Sequence, residues 1–217
     1  MFDESLYEWV DLGLPSGLKW ATWNIGATKP EEYGLYFAWG ETQGYTGITD
    51  DKKFTWGDYE FTTAATGTTD IIFRGGLTKY NSVSTSGVVD NLTTLESSDD
   101  SAYQSDKTCR MPTSGECQEL INNTTSAWTT DYNGSGVSGV IFTSTKEGYT
   151  DKSIFLPAAG FCLSGSPNYA GSIGQYWSSS VYKSVSRLAW VLYFHAGDVY
   201  MSNYLRYQGH SVRPVKE

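Results

Sequence analysis

The alternation of side chains between Trp190 and Ser202 constrains the fold more than any other feature of this chain. Because consecutive strand residues point to opposite faces of a sheet, the alternation predicts a β-hairpin with two unlike faces. The two strands are joined by a turn at 196–198. One face supplies a core and carries Trp190, Leu192, Phe194, Val199 and Met201. The other face carries Val191, Tyr193, His195, Tyr200 and Ser202.

The second face of this hairpin has two interpretations. Tyrosine offers a large contact area at a low entropic cost, so exposed tyrosines beside His and Ser are typical of a recognition surface. Alternatively, another part of the domain covers this face, and its side chains are structural. Periodicity alone does not separate the two interpretations.

The composition indicates a loop-rich β or α+β domain. Of the 217 residues, 18% are charged and 15% are aromatic, and Gly, Ser and Thr are abundant. That length suffices for one domain with its own core, and the low charge content argues against a helical bundle. The net charge of −9 disfavours binding to nucleic acid phosphates or to an anionic membrane surface.

The ends and hydropathy of the chain bear on its location. No apolar run is long enough to cross a bilayer, so we expect no membrane insertion by this chain. Residues 1–5 contain neither a basic nor an apolar signal segment. Without such a segment in residues 1–5, we expect one of two alternatives: the protein stays in the cytosol until assembly or lysis, or a leader has been removed.

Three cysteines, at positions 109, 117 and 162, cannot all pair within one chain. A bridge between Cys109 and Cys117 is one alternative, and buried free thiols are the other. An odd number of widely spaced cysteines favours the free thiols. With two histidines and no CxxC motif, we expect no zinc site.

The organisation of the chain shows one clear helix. Thr113 and Glu116 form a Thr-x-x-Glu capping box, after which Cys117, Leu120 and Ile121 fall on one helical face. The stretch 9–23 is expected to form two strands on either side of a Pro-Ser-Gly turn at 15–17, and further strands are expected at 140–143, 154–160, 175–180, in the terminal hairpin and at 211–215. Between Gly40 and Ala102 the chain is rich in Thr, Ser, Gly and Asp, which predicts long loops with little regular structure.

An acidic stretch from Asp90 to Asp100 has two interpretations as well. Clustered carboxylates favour Ca²⁺, but the regular ligand spacing of a calcium loop is absent, so a solvated acidic loop is the alternative. The Glu-Pro-Asn and Gln-Pro-Asp triplets of calcium-dependent lectins do not occur in the sequence. We therefore assign no metal and no cofactor.

Five motifs occur in an order that resembles a known family. They are Trp9 to Gly17, Tyr36 to Glu41, Arg110 to Thr113, Tyr176 to Ser180 and Ser211 to Val215. Together they resemble the Fibrobacter-type major paralogous domain, a group with the formylglycine-generating-enzyme type of C-type lectin fold. The resemblance spans most of the chain. It implies a single α+β domain over residues 1–217 with short antiparallel strands, few helices, long inserted loops, and termini that meet in one sheet.

Within that group, the terminal segment resembles the variable region of a diversity-generating retroelement protein. Such cassettes mutate adenines in Asn codons, which yields Tyr, His, Asp, Ser, Val, Leu, Arg or Phe but never Trp, Met, Lys, Gln or Glu. Trp190 and Met201 of the expected core face cannot be reached in this way, whereas the outward residues can. Lys183 and Gln208 also cannot be reached, so these two do not fit the pattern.

The resemblance implies a variable ligand-binding segment at about residues 181–210. The expected ligand-binding residues are Arg187, Leu188, Val191, Tyr193, His195, Asp198, Tyr200, Ser202, Asn203, Tyr204, Leu205 and His210. The implied function is display of a hypervariable face that binds a protein or cell-surface target, on a bacterial cell surface or a phage particle. The alternative is an invariant structural or adhesin domain of the same fold.

We expect no enzymatic activity. The same fold supports a copper-dependent oxidase that works with a pair of neighbouring thiols in the C-terminal region. Here Cys162 is the only cysteine after the expected helix, and the terminal hairpin contains none. Both histidines lie in the expected variable segment, so no Ser-His-Asp arrangement is evident.

Overall fold

The computed structural model of the protein describes residues 6–47, 52–64 and 75–217. The expectation about a signal segment concerns residues 1–5, which lie outside the described residues. The strands are β1 (Trp9–Asp11), β2 (Lys19–Ala21), β3 (Thr124–Thr129), β4 (Gly139–Ser144), β5 (Ser153–Pro157), β6 (Phe161–Leu163), β7 (Ser166–Asn168), β8 (Ile173–Val181), β9 (Leu188–His195), β10 (Asp198–Leu205) and β11 (Val215–Lys216). The α-helices are α1 (Ser101–Ser105) and α2 (Ser114–Asn123).

The described chain is therefore α+β and rich in sheet, which confirms the general class predicted from the sequence. Its antiparallel sheets have the strand orders β1-β2-β11, β10-β9-β8, β3-β4-β5 and β6-β7. In the first sheet, Trp20 of β2 lies opposite both Val10 of β1 and Val215 of β11. The two ends of the described chain thus meet in one sheet.

Helix α2 begins where the capping box predicts. The Thr113 side chain accepts a hydrogen bond from the Glu116 backbone N–H at 3.3 Å, and the Thr113 N–H donates to the Glu116 carboxylate at 2.7 Å. The guanidinium of Arg110 donates two further hydrogen bonds, of 2.7 and 2.8 Å, to the same carboxylate. Cys117 and Leu120 are buried on the inner face of the helix. Local sequence thus determines this element.

Sheet β10-β9-β8 lies between two hydrophobic clusters rather than against one. Trp177, Ala189 and Val191 point into a cluster formed with the segments around Trp39 and Tyr80. On the opposite face, Leu192 and Phe194 point into a second cluster with α2 and sheet β3-β4-β5. Both faces of the sheet are therefore buried over part of their length.

Gly174 allows this packing at one point. A Cβ atom at position 174 would lie 1.9 Å from the Phe194 ring. The residue must be glycine for β9 to lay that ring across β8.

The chain from Gly40 to Ala102 carries little regular structure in its described part, as predicted, and α1 begins only at its end. Its carboxylates form hydrogen bonds within the domain. Asp90 accepts from the backbone N–H groups of Tyr80 and Asn81, at 2.7 and 2.9 Å. Asp99 pairs with Lys79 at 2.6 Å, and Asp100 caps α1. Neither the calcium nor the solvated-loop interpretation anticipated this structural role.

Several further expectations receive an answer. A disulfide bridge between Cys109 and Cys117, one of the two predicted alternatives, is wrong, because all three cysteines are free and buried.

The sequence did not predict strand β3, since its polar sequence Thr-Thr-Ser-Ala-Trp-Thr has no core-forming alternation. Of the expected strand 211–215, only Val215 belongs to a strand. None of the helices among the described residues has the length and apolar character needed to cross a bilayer.

Candidate functional site

The register of the terminal hairpin decides which side chains share a face. Tyr193 lies opposite Tyr200, Val191 opposite Ser202, and Ala189 opposite Tyr204. Residues directly opposite one another in an antiparallel pair point to the same side. We call the accessible residues of this side the tyrosine face; they are Tyr193, His195, Asp198, Tyr200, Ser202 and Tyr204.

Three tyrosine rings of the tyrosine face form one cluster. The ring centroids of Tyr193 and Tyr200 are 5.0 Å apart, and those of Tyr193 and Tyr204 are 6.2 Å apart with nearly parallel planes. His195 completes the cluster, with its ring centroid 5.9 Å from that of Tyr193. Tyr200 is exposed, and the other three rings are half-buried.

The hydroxyls of Tyr193 and Tyr204 are neutral near pH 7. Burial raises the pKa of both Tyr193 and Tyr204, and the neighbouring tyrosines raise it further. A neutral phenol both donates and accepts hydrogen bonds. His195 accepts the Gly197 N–H at its Nδ1 atom, at 3.0 Å. By the residue types at these positions, Asp198 is the only formally charged member of the tyrosine face.

Two of the expected ligand-binding residues are not on the surface. Val191 and His210 are both completely buried, so the expected exposure of these residues is wrong. Val191 belongs to the tyrosine side by register, but loops from the first half of the chain cover that end of the sheet. His210 follows the hairpin in a segment that pairs with Phe37 and lies beneath the tyrosine face.

Three more expected residues point to the other side of the hairpin. Asn203 lies opposite Trp190, and Leu188 lies opposite Leu205. Leu188, Asn203 and Leu205 therefore do not join the tyrosine face. Arg187 precedes β9 and is half-buried. Trp190, expected in the core, is also only half-buried and packs against the ring of Tyr182.

His210 forms the floor beneath the tyrosine cluster. Its ring lies 4.2 Å from Trp177, 5.6 Å from Tyr204 and 6.0 Å from Phe161, measured between centroids. Neither ring nitrogen has a hydrogen-bond partner among the described residues. Burial lowers the pKa of His210 to about 3, so the imidazole is neutral near pH 7.

Arg206 anchors the end of β10 and was missed by sequence reasoning. Its buried guanidinium donates to the Tyr59 hydroxyl at 2.9 Å and to the Ser186 carbonyl at 3.0 Å, and it lies 4.7 Å from the Trp39 ring centroid. These contacts hold the end of the hairpin against loops that are distant from it in sequence. The only sequence signal was a lone Arg next to a predicted strand, which does not indicate burial.

The comparisons with known proteins give one match. The model of a family described as a domain of unknown function (DUF8237) matches residues 142–215. The matched stretch begins within β4 and includes the whole terminal hairpin. No curated protein and no solved structure matches the chain.

Proposed function

We propose that this protein is a ligand-binding display protein whose tyrosine face binds a protein or cell-surface target. The observation that carries the proposal is the contiguous cluster of Tyr193, Tyr200 and Tyr204 on one accessible side of the terminal hairpin. Such aromatic side chains dominate binding energy at protein interfaces because they bury large areas and lose few rotamers.

The scaffold beneath the tyrosine face supports this function. Trp177, Val191 and His210 are completely or almost completely buried directly under or beside the tyrosines. Arg206 fixes the C-terminal end of the hairpin from inside the domain. A face held in place before binding loses less conformational entropy when a ligand docks.

We further propose that the domain has a C-type lectin-like fold. The pairing of both chain ends in sheet β1-β2-β11 supports this, as do the short antiparallel strands and the long irregular segments. The scarcity of helices in the described chain agrees with it.

We propose that a retroelement mutates Asn codons in this segment, so that the residues of the tyrosine face differ between copies of the gene. All six of its residues can be reached from mutated Asn codons, whereas Trp190 and Met201 on the other side of the hairpin cannot. We leave Val191 and His210 out of the proposed variable set, because both are buried and their substitution would disturb packing. We place such a protein on a bacterial cell surface or a phage particle.

Binding rather than catalysis is the proposed activity. The three thiols are buried, and burial raises the pKa of Cys109 to about 12, which disfavours a reactive thiolate. The tyrosine face has one histidine, whose Nδ1 atom already accepts a backbone hydrogen bond. These features fit a recognition surface better than a general-base site.

The genomic neighbourhood tests this proposal. A reverse-transcriptase gene beside this gene, together with a near-copy of its last segment carrying Asn codons at the tyrosine-face positions, is the expected finding. If a complete neighbourhood has neither feature, the retroelement part of the proposal fails, and the invariant adhesin domain of the same fold becomes the better interpretation.

A further inference from the structure

A pocket lies where the turn of the terminal hairpin approaches sheet β3-β4-β5. It has a volume of about 190 Å³, and its walls include Ile121, Ser126, Trp128, Phe142, His195 and Asp198. We call it the Trp128 pocket. A pocket of this size is smaller than the usual site for a whole small molecule, but it suits one side chain of a larger ligand. Because His195 and Asp198 also belong to the tyrosine face, the pocket lies at the edge of that face.

One wall of the Trp128 pocket consists of scaffold residues of sheet β3-β4-β5. Trp128 lies opposite Val140, and Ser126 lies opposite Phe142, so these four side chains share one side of the sheet. Val140 and Phe142 are buried, and the Phe142 ring packs edge-on against Phe194 with the centroids 6.5 Å apart. Trp128 itself is half-buried. The second hydrophobic cluster therefore fixes this wall, and the Trp128 ring lines the pocket.

The other wall is the hairpin turn, whose polar groups are oriented by hydrogen bonds within the turn. The Gly197 N–H donates to Nδ1 of His195 at 3.0 Å, and the Val199 N–H donates to Oδ1 of Asp198 at 2.8 Å. The Oδ2 atom of Asp198 takes part in neither bond. The turn thus holds the carboxylate in place and leaves this oxygen to accept hydrogen bonds from a ligand.

The charge of the Trp128 pocket indicates which ligand group it accepts. Among the described residues that line it, Asp198 is the only one with a formal charge, and the net charge of the whole chain is −9. A carboxylate beside an aromatic ring favours a cation, because both the carboxylate and the negative face of the ring attract it. A guanidinium suits this pair better than an ammonium group, since it is planar, stacks on aromatic rings and binds a carboxylate through two N–H groups.

We propose that the Trp128 pocket binds an arginine side chain of a polypeptide ligand. The inference rests on the proposed binding function, because the same ligand would cover the tyrosine face and insert the arginine at the turn end of that face. The guanidinium lies between the Trp128 ring and the Asp198 carboxylate, and the aliphatic part of the arginine packs against Ile121 and Val199, which also line the pocket. Arginine is among the residue types that contribute most to binding energy at protein interfaces.

Retroelement variation would give the pocket a constant wall and a changeable charge. Trp128, Val140 and Phe142 lie outside residues 181–210, whereas Asp198 is among the residues that a mutated Asn codon can yield. A copy of the gene with Asn or Ser at position 198 would keep the wall and lose the carboxylate. Copies of the gene should therefore differ in whether their products accept a basic side chain at this edge of the tyrosine face.

A titration with amino-acid amides tests the pocket without knowledge of the natural ligand. The whole chain, labelled with ¹⁵N, is titrated with N-acetyl-L-argininamide, with its neutral analogue N-acetyl-L-citrullinamide and with N-acetyl-L-lysinamide. The backbone amide signals of Ser126 and Gly197 and the indole N–H signal of Trp128 are followed. We expect saturable shifts with the arginine probe and at least about tenfold weaker binding of the citrulline probe. The lysine probe should bind less tightly than the arginine probe.

Matched variants separate the charge of the pocket from its shape. Asp198→Asn removes the charge and keeps the size of the side chain, so the arginine probe should bind this variant about as weakly as the citrulline probe binds the native chain. Asp151→Asn is the control, because it also removes one surface carboxylate but lies outside the pocket, and it should change neither affinity. Ser126→Tyr, at an exposed strand position, fills the pocket and should weaken the arginine probe by at least about tenfold.

Four results would overturn the arginine site. They are the absence of saturable shifts with the arginine probe, equal affinities for the arginine and citrulline probes, unchanged arginine binding in Asp198→Asn, and tighter binding of the lysine probe than of the arginine probe. The titration involves neither the natural target nor the retroelement. Its failure would therefore remove the arginine site alone, whereas the genomic neighbourhood tests the proposed function.

Discussion

Tyr193 and Tyr200 lie directly opposite one another across the terminal hairpin, with their ring centroids 5.0 Å apart. Immediately beside this pair, Val191 lies opposite Ser202 on the same side but is completely buried. Beyond the Tyr193–Tyr200 pair, β9 contributes the buried residues Val191 and Ala189 to this side, whereas their β10 partners Ser202 and Tyr204 stay partly accessible. The tyrosine face is thus separated from the buried residues of the same side within each of these residue pairs.

The first prediction concerns this boundary. Val191→Ala should lower the free energy of unfolding by about 2 kcal/mol, because it removes buried methyl groups and leaves a cavity. Ser202→Ala, at the opposite position, should cost less than about 0.5 kcal/mol, as surface changes usually do. Urea denaturation of both variants measures the difference. Equal costs would mean that the sheet is not covered at Val191.

A second comparison tests the two sides of the terminal hairpin, with Phe194 of β9 on one side and Tyr200 of β10 on the other. Phe194→Ala should cost about 3–5 kcal/mol, since the ring is completely buried against Phe142 and Tyr176. Tyr200→Ala should cost about 1 kcal/mol or less, because its ring is 42% exposed. Thermal melts should show a large decrease in Tm for the first variant only. The reverse order would contradict the assignment of the sides.

A third prediction concerns Arg206. Arg206→Ala leaves the Tyr59 hydroxyl and buried carbonyl groups without their donor and opens a cavity between Trp39 and Tyr80. We expect a loss of about 3–5 kcal/mol in the free energy of unfolding. Lys183→Ala is the control, because Lys183 is exposed in the same region. A loss no greater than that of the control would show that Arg206 does not anchor the hairpin.

A fourth prediction follows from the lowered pKa of His210. Burial holds it at about 3 in the folded protein, whereas a histidine in the unfolded chain titrates near 6.5. The unfolded state therefore binds a proton below pH 6.5 that the folded state does not bind, and stability falls as the pH falls. The free energy of unfolding should therefore fall by roughly 2 kcal/mol between pH 7 and pH 5.

His210→Leu removes that proton uptake while keeping a side chain of similar size. The variant should lose less stability between pH 7 and pH 5 than the native chain, as measured by urea denaturation at both values. Asp90 and Asp99, whose pKa values are also lowered, affect both proteins equally. Identical pH dependence of the two proteins would contradict the buried, neutral state of His210.

The elements that the sequence predicts are those specified by local patterns. The Thr113–Glu116 capping box predicted the start of α2, and strict alternation predicted the pairing of β9 with β10. Both signals arise within a few residues of one another, so they need no knowledge of the rest of the chain. The general α+β class followed from the same short elements.

What the sequence did not predict depends on contacts between distant segments. Val191 has the same alternation as Tyr193, and only the loops around Trp39 and Tyr80 decide that it is buried. Arg206 and His210 are buried polar residues that also contact distant segments: Arg206 donates to Tyr59, and His210 pairs with Phe37, each more than a hundred residues earlier.

The central claim is that the tyrosine face varies while the scaffold beneath it does not. Sequencing codons 160–215 from many copies of this gene in one natural population tests it most directly. Substitutions should concentrate at Tyr193, His195, Asp198, Tyr200, Ser202 and Tyr204, with none at the buried positions Val191, Phe194, Arg206 and His210. Codons that are uniform throughout, or substitutions spread evenly over exposed and buried positions, would contradict the claim.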